Sequence, residues 1–378
     1  MTGKNLATLI LVAIVNCAVV AFVVTNKTAP QPIIQQSFVT PPVPTQPIAE
    51  PPKANTEQAK NTISESDLRK HISWLAHDAR EGRMSGKRGN IVSADYIADH
   101  FNSLGLQVTR QKFPIKRTNP GPNNETGDDF THNIIGVLPG RTSRTIIIGG
   151  HMDHIGYGPE YSRQGGGQIH NGADDNASGT GSVMEVAEAF TKMEKLNHTL
   201  VFICFSAEEM GLIGSRYFVK QLTEEEKSNI DLMVNFDMVG YLKDQKTNEI
   251  YGIKDIPEVN AIVGRLTTKY PIRFSAGEAG SGGSDHAPFG NAGIPYAFFH
   301  TGLHAHYHKP SDDVERLDFK GQELVTKFAF EMVDEFDKIN LVRKAAFSYP
   351  TLNEEFHDHG HSEEHHHPTN LPAVKELQ

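Results

Sequence analysis

Short apolar, β-branched runs alternate with stretches of helical period through the central part of the chain. The runs typical of buried strands lie at residues 133–138, 145–148, 199–205, 232–236 and 296–299. Helical patterns lie at residues 66–75, 94–104, 181–195, 211–221 and 319–339. This alternation predicts an α/β fold, a three-layer sandwich with a mixed, largely parallel central sheet flanked by helices. Such sheets place their chemistry on loops at the carboxyl ends of the strands.

The N-terminus has a different pattern. Residues 6–24 are almost continuously apolar, with Thr8 and Asn16 as interruptions, and this length can cross a bilayer as a helix. The apolar run continues past Asn16, where a cleavable signal peptide would have ended. The sequence therefore favours an uncleaved membrane anchor in residues 1–25, with the folded domain periplasmic or extracellular. Secretion after signal cleavage and lipidation of Cys17 are the alternatives left open.

The remaining segments complete the predicted domain organisation. Residues 26–63 are rich in Pro, Gln, Thr and Ala and lack an apolar period, which is typical of a linker. The folded domain is predicted over residues 64–345. Residues 346–378 are rich in histidine and poor in apolar residues, so we expect a disordered tail. Because histidine-rich tracts bind metals, a zinc-collecting role for this tail is the second interpretation.

Composition excludes one class of partner. The chain has 378 residues, 38% of them hydrophobic and 22% charged, and a formal net charge of −10. A negative chain without a Lys/Arg stripe lacks the attraction to phosphate on which nucleic-acid binding depends, so no nucleic-acid partner is expected. The two cysteines, Cys17 and Cys204, lie in different apolar runs, and we expect no disulfide.

Polar clusters follow the predicted strands. They contain imidazole and carboxylate groups, a combination that suits Zn²⁺: His151, Asp153, Asp174, Asp175, Glu208, Glu209, Asp237 and His308. The set offers more ligand atoms than one zinc needs, which favours two ions and therefore a carboxylate able to bridge them. The paired acids Asp174 and Asp175 are the natural source, and we predict Asp174 as the bridge.

Seven short motifs occur in order along the chain. They are Glu81-Gly82-Arg83, His151-x-Asp153, Asn171-Gly172-Ala173-Asp174-Asp175-Asn176-Ala177-Ser178-Gly179, Ala207-Glu208-Glu209, Phe236-Asp237-Met238, Ser284-Asp285-His286 and Tyr307-His308-x-Pro310-x-Asp312. With these motifs, residues 66–339 resemble the zinc aminopeptidase family of bacterial leucyl aminopeptidase type. The family's relatives include glutamate carboxypeptidase II, glutaminyl cyclase and the transferrin receptor.

The resemblance implies a role for each matching residue. His151 and Asp237 would bind one zinc ion, Glu209 and His308 would bind the other, and Asp174 would bridge them. Asp153 would hold the His151 ring, as carboxylates behind metal ligands generally do. The peptide bond between Asp174 and Asp175 would be cis.

The resemblance also implies a reaction. Glu208 would take a proton from the metal-bridging water and return it to the leaving amine, and Tyr307 would stabilise the oxyanion. The implied protein is a metallo-aminopeptidase, an exopeptidase that hydrolyses N-terminal residues from peptides. A carboxypeptidase or a glutaminyl-cyclase-like enzyme on the same scaffold and a non-catalytic binding module are the alternatives.

Two further features have a plainer interpretation. The histidines near the His308 motif are expected to be ordinary hydrogen-bonded residues rather than ligands. They are His286, His300, His304 and His306. The glycines at residues 165–167 predict a mobile loop rather than a lid over the substrate.

Overall fold

The computed structural model describes residues 53–115, 129–158, 161–242, 247–277 and 283–339. All of them belong to one compact unit, Pro44–Gln378. The predicted anchor, most of the predicted linker and the histidine-rich tail lie outside the described residues. Within these described ranges, no helix has both the length and the apolar character that a membrane span requires.

The described elements alternate along the chain as the hydrophobic pattern predicts. The helices are α1 (Thr56–Lys60), α2 (Glu65–Leu75), α3 (Arg88–Ser103), α4 (Gly179–Lys192), α5 (Ile213–Gln221), α6 (Glu224–Asn229), α7 (Pro257–Leu266), α8 (His286–Asn291) and α9 (Phe319–Asp337). The strands are β1 (Gln107–Pro114), β2 (Phe130–Leu138), β3 (Thr145–His151), β4 (Thr199–Phe205), β5 (Ile230–Phe236), β6 (Thr247–Tyr251), β7 (Arg273–Ala276) and β8 (Tyr296–His300).

The eight strands form one sheet in the order β1-β2-β4-β3-β5-β8-β6-β7. Its centre is parallel, since β4, β3, β5 and β8 run in one direction. Toward the two sides of the sheet, three pairs of strands are antiparallel: β1 with β2, β2 with β4, and β6 with β8. The predicted mixed, largely parallel sheet is confirmed.

Alternate residues of the central strands pack into two different cores, as the period of two along a strand requires. In β3, Ile146 and Ile148 belong to one core and Ile147 to the other. The first core lies under α2, α3, α4, α7 and α9, and the second lies under α5 and α8. Helices therefore cover both faces of the sheet, which confirms the predicted three-layer sandwich.

The structure adds elements that the pattern did not predict. Strands β1, β6 and β7 lie toward the two sides of the sheet, and β1 has only Phe113 buried. Helix α1 falls in the segment predicted as linker, where Ala59 and Ile63 are fully buried. The packed domain thus begins before the predicted boundary at residue 64.

The amino ends of the parallel strands carry a buried polar network, here called the amino-edge network, made of Arg144, His198, Asp231 and Asp337. His198 lies between two carboxylates, with Nδ1 2.8 Å from Asp337 and Nε2 3.1 Å from Asp231. The Arg144 guanidinium pairs with Asp231, and the main-chain N–H groups of Asn197 and His198 donate to Asp337. Each polar group in this contact set has a partner, so the network ties three strand starts to the end of α9.

Candidate metal centre

The opposite edge of the sheet gathers six side chains, here called the donor cluster. They are His151, Asp175, Glu208, Glu209, Asp237 and His308. His151 is the last residue of β3, the two glutamates follow β4, and Asp237 follows β5. Because the carboxyl ends of parallel strands meet at one edge, residues from distant parts of the chain converge there.

His151 forms one half of the donor cluster. Its Nε2 atom lies 3.4 Å from Asp175 Oδ1, 3.5 Å from Asp237 Oδ1 and 3.9 Å from Glu208 Oε2. The ring is 1% exposed, so its surroundings are these carboxylates rather than bulk water. This half contains the residues that the sequence assigned to the first zinc ion.

His308 forms the other half. Its Nε2 atom lies 3.2 Å from Asp175 Oδ2 and 3.1 Å from Glu209 Oε2. Asp175 therefore presents one carboxylate oxygen to each histidine. It is the described carboxylate with the geometry expected of a bridge between two metal ions.

The structure contradicts the prediction that Asp174 is this bridge. The Asp174 carboxylate accepts a hydrogen bond from the Gly240 N–H at 2.7 Å and lies 3.1 Å from His304 Nε2. Neighbouring side chains on a non-helical segment leave the backbone in different directions, so only one of the paired acids can face the donor cluster. That residue is Asp175.

The backbone around Asp175 is held by its neighbours. The Asp312 carboxylate accepts the N–H groups of both Asp174 and Asp175, each at 3.0 Å. Asn176 donates to the Phe236 carbonyl at 2.9 Å, which turns its side chain toward β5. Among the described residues the cis peptide bond joins Asp175 and Asn176, one position later than the resemblance implied.

The outer nitrogens of both cluster histidines contact main-chain carbonyls. His151 Nδ1 lies 3.2 Å from the Asp153 carbonyl oxygen, and His308 Nδ1 lies 3.0 Å from that of Tyr161. The Asp153 carboxylate, which was predicted to hold the His151 ring, is 3.8 Å from Nδ1 and accepts the Glu208 N–H at 3.2 Å instead. Asp153 thus orients His151 through its main chain and the Glu208 segment through its side chain.

The donor cluster fits zinc. Ligand atoms about 2.0–2.2 Å from a tetrahedral zinc ion stand roughly 3.3 Å apart, and the contacts of Asp175 with His151 and His308 measure 3.4 and 3.2 Å. His308 Nε2 is buried and faces two carboxylate oxygens, those of Asp175 and Glu209, at 3.2 and 3.1 Å. Imidazole with carboxylate is also a donor set that zinc accepts.

The adjacent glutamates have opposite electrostatic character. Burial raises the pKa of Glu208 well above its ordinary value, and the neighbouring carboxylates of Glu209 and Asp237 act in the same direction. Burial would also raise the pKa of Glu209, but the His308 and His154 rings beside it hold that pKa well below its ordinary value. Glu208 is therefore suited to hold a proton and Glu209 to remain a carboxylate.

Arg83, from the Glu81-Gly82-Arg83 motif, supports the loops beneath the cluster. It is fully buried and donates to the carbonyl oxygens of Met152, Asn171 and Gly172 at 2.9, 2.6 and 2.8 Å. A further bond reaches the Leu75 carbonyl at 3.0 Å. One guanidinium thus joins the loop after His151 to the loop before Asp175.

Tyr307 lies beside the cluster. Its ring packs on that of His308 with centroids 3.9 Å apart, and Arg163 Cζ lies 4.6 Å from the centroid of the Tyr307 ring. Burial and then the Asp175 and Glu209 carboxylates raise the pKa of Tyr307 well above its ordinary value. The phenol therefore keeps its proton and can act as a hydrogen-bond donor.

The four nearby histidines have other surroundings. His304 stacks on Tyr241 with centroids 4.2 Å apart, His306 Nδ1 lies 2.9 Å from Ser311 Oγ, and His300 Nδ1 lies 2.7 Å from the Asp237 carbonyl. The His286 ring stacks on that of Phe298.

His154, which the sequence motifs did not indicate as a site residue, contacts the donor cluster through Glu209. Its position directly after His151-x-Asp153 was the available signal.

Comparisons with known proteins agree with this geometry. The sequence profile described as peptidase family M28 matches residues 133–333. Leupeptin-inactivating enzyme 1 of Streptomyces exfoliatus is 31% identical over 244 residues, which cover 63% of this chain and 49% of that protein. Aminopeptidase YwaD of Bacillus subtilis is 30% identical over 237 residues, which cover 57% of this chain and 47% of that protein. The chain spans about half the length of these curated relatives.

A solved structure supports the fold. The structure described as a zinc aminopeptidase from Bacillus subtilis matches with a TM-score of 0.60 and 19% identity, covering 71% of this chain and 95% of that chain. Because the family profile covers more than half of the sequence, including all six donor-cluster residues, the chain belongs to peptidase family M28.

Proposed function

We propose that this chain is a metallo-aminopeptidase that binds two zinc ions and removes N-terminal residues from peptides. The observation that carries the proposal is the position of Asp175, whose two oxygens face His151 and His308 separately. A carboxylate in this arrangement suits two ions about 3.5–4 Å apart. The names of the family's curated members support the aminopeptidase reaction.

The ligand assignment follows the contacts. His151 and Asp237 would hold one ion, Glu209 and His308 would hold the other, and Asp175 would bridge them, in place of Asp174. Zinc bound there would supply Lewis acidity, which polarises a carbonyl and lowers the pKa of a water molecule.

Glu208 is the proposed proton carrier. Its Oε2 atom lies 3.9 Å from His151 Nε2, farther than the oxygens of Asp175 and Asp237. Glu208 therefore faces the cluster but lies farther from His151 than the proposed metal ligands Asp175 and Asp237 do. Burial raises the pKa of Glu208 above that of an exposed carboxylate, which makes it a stronger base for taking a proton from water and returning it to the leaving amine. Tyr307, which keeps its proton, is the proposed donor to the developing oxyanion.

The experiment that tests the reaction is a peptide-library digestion. Zinc-loaded full-length protein is incubated with peptides of mixed sequence, and mass spectrometry shows which terminus becomes shorter. We expect stepwise N-terminal shortening, and no shortening with the matched Glu208→Gln variant. Shortening at the C-terminus would indicate a carboxypeptidase, and loss of ammonia from N-terminal glutamine would indicate a cyclase. Unchanged peptides despite bound zinc would favour a non-catalytic binding module.

The proposed location is outside the cytoplasmic membrane, with residues 1–25 as an anchor. The support is the apolar run of residues 6–24, which is long enough for a membrane helix. Deleting residues 1–25 should move the protein to the soluble fraction without changing its rate constant for peptide hydrolysis. If cells that express the full-length sequence already contain soluble protein without residues 1–25, this segment is a cleaved signal peptide instead.

A further inference from the structure

His154 contacts the donor cluster at Glu209 and, at the longer distance of 3.7 Å, at Asp175 Oδ2. The residue is 1% exposed, and its Nδ1 atom lies 2.8 Å from Glu209 Oε1. The ring packs against Gly172, where a Cβ atom would come within 2.5 Å of His154 Cδ2. On its other side it meets His308 edge to face, with centroids 5.7 Å apart. Packing from two directions therefore fixes the orientation of this imidazole.

The two oxygens of Glu209 have different neighbours. Oε1 is the oxygen nearest to His154, and Oε2 lies 3.1 Å from His308 Nε2. A carboxylate held at one oxygen by an N–H group has the other oxygen free for a metal ion. The contact with His154 thus selects which oxygen of Glu209 faces the His308 half of the cluster.

The ring nitrogen that points away from the cluster has different surroundings in His154 than in His151 and His308. A metal-binding histidine almost always places its second nitrogen on an acceptor. Those of His151 and His308 lie on main-chain carbonyls. In contrast, His154 Nε2 is buried with no hydrogen-bond partner among the described residues. This difference favours a hydrogen on Nδ1, donated to Glu209, over direct coordination of a metal by His154.

We infer that His154 is a positioning residue for the Glu209 half of the metal centre. Its Nδ1–H donates to Glu209 Oε1, which fixes the carboxylate rotation and leaves Oε2 for the ion beside His308. The inference rests on the proposed function, because it assumes that Glu209 binds zinc. It gives a chemical role to the residue that follows the His151-x-Asp153 motif.

Two substitutions separate positioning from packing. His154→Leu fills most of the ring volume but removes the donor, whereas His154→Asn keeps an N–H donor near the position of Nδ1. Loss of an outer hydrogen bond to a metal ligand typically costs about 10–100-fold in metal affinity. We expect His154→Leu to lower the affinity of one zinc ion by about that factor, and His154→Asn to retain most of it. The other zinc ion should bind as in the wild type.

The measurement is a titration of metal-free full-length protein with buffered zinc, with thermal unfolding of the same samples. His100→Leu is the matched control, because His100 lies on α3 and its ring packs on those of His71 and Phe101 rather than on the donor cluster. We expect its zinc binding to equal that of the wild type. X-ray absorption of the zinc-loaded His154→Asn variant should show the same number of histidine ligands as the wild type.

The contrary results are distinct. Equal zinc affinity in wild type and His154→Leu would overturn the inference, as would equal losses in His154→Leu and His154→Asn. One fewer histidine ligand in His154→Asn would show that His154 is itself a ligand and would also overturn it. Wild-type protein that binds fewer than two zinc ions would overturn the proposed function and this inference with it.

Discussion

The two edges of the parallel sheet both hold buried histidines among carboxylates, but they balance charge differently. In the amino-edge network, His198 lies between Asp231 and Asp337, and the Arg144 guanidinium pairs with Asp231. In the donor cluster, four carboxylates converge on two histidines. The nearby buried guanidinium, Arg83, donates to four main-chain carbonyls instead.

This difference separates a structural network from a candidate site. Buried charges are stable when they are paired and hydrogen-bonded, and the amino edge meets that condition with its own side chains. At the carboxyl edge, four carboxylates surround two histidines, and this excess of buried negative charge favours an added cation. The comparison therefore predicts that substitutions at the amino edge change stability, whereas those at the carboxyl edge change zinc binding or rate.

The largest expected effect concerns Glu208. Glu208→Gln keeps the shape of the side chain but cannot carry a proton, so kcat should fall by about 10²–10⁴-fold. Both zinc ions should stay bound, because Glu208 is not among the proposed ligands. Steady-state kinetics and atomic emission on the same samples give the two values. Loss of zinc in proportion to activity would mean that Glu208 is a ligand.

The next prediction compares the paired acids. Asp175→Asn should weaken the binding of both zinc ions, because its two oxygens face different histidines. We expect zinc affinity at each site to fall by more than the roughly 10–100-fold that is typical when a residue hydrogen-bonded to a metal ligand is replaced. Asp174→Asn, the matched control, should retain both ions, since Asp174 contacts Gly240 and His304. Greater zinc loss in Asp174→Asn would restore the original prediction from sequence.

At the amino edge, His198→Asn should destabilise the fold without changing the chemistry. It removes a ring that lies between two buried carboxylates, and each buried carboxylate that loses a hydrogen-bond partner costs about 1–3 kcal/mol. Urea unfolding of the metal-free protein measures this loss in the free energy of unfolding. Zinc titration of the folded variant should match the wild type. A changed zinc affinity would show that the two edges are coupled.

The smallest expected effect lies away from both edges, at Glu185 on α4. Burial and then the acidic neighbours Asp67 and Glu188 raise the pKa of Glu185 to about 8. The protonated form is thus favoured in the folded state, so its stabilising contribution is full below pH 4.5 and is lost as pH rises through 8.

Glu185→Gln should therefore match the wild type at pH 4 and exceed its stability at pH 9, by on the order of 3 kcal/mol. His71 faces Glu185 at 3.5 Å, and burial lowers its pKa to about 4, so its own contribution is lost as pH falls and does not enter the comparison at pH 9. Thermal unfolding across this pH range measures the difference. A constant difference at all pH values would contradict the raised pKa.

The sequence predicted the buried centre of the fold better than its periphery. The continuous apolar runs of β3, β4 and β5 are unambiguous because both faces of these strands are buried. Strand β1 is mostly exposed and polar, so its residues carry no apolar pattern, although it pairs with β2 along its whole length. Pairing of an exposed edge strand depends on its partner, which a local pattern does not contain.

The candidate site shows a similar limit. Residue types and order along the chain predicted which segments would converge, because the carboxyl ends of parallel strands share one edge. They could not predict which acid of the Asp174-Asp175 pair faces the cluster, since that depends on bonds from Asp312 and Gly240, which are distant in sequence. The contact of His154 with Glu209 depends likewise on packing against Gly172.

The most direct test of the central claim is an anomalous diffraction map of zinc-loaded crystals at the zinc absorption edge. The account predicts two peaks about 3.5–4 Å apart, one beside His151 and Asp237, the other beside Glu209 and His308. Asp175 should reach both peaks with one oxygen each. A single peak would contradict the proposed two-zinc centre, and two peaks bridged by Asp174 would contradict the assignment of Asp175 as the bridge.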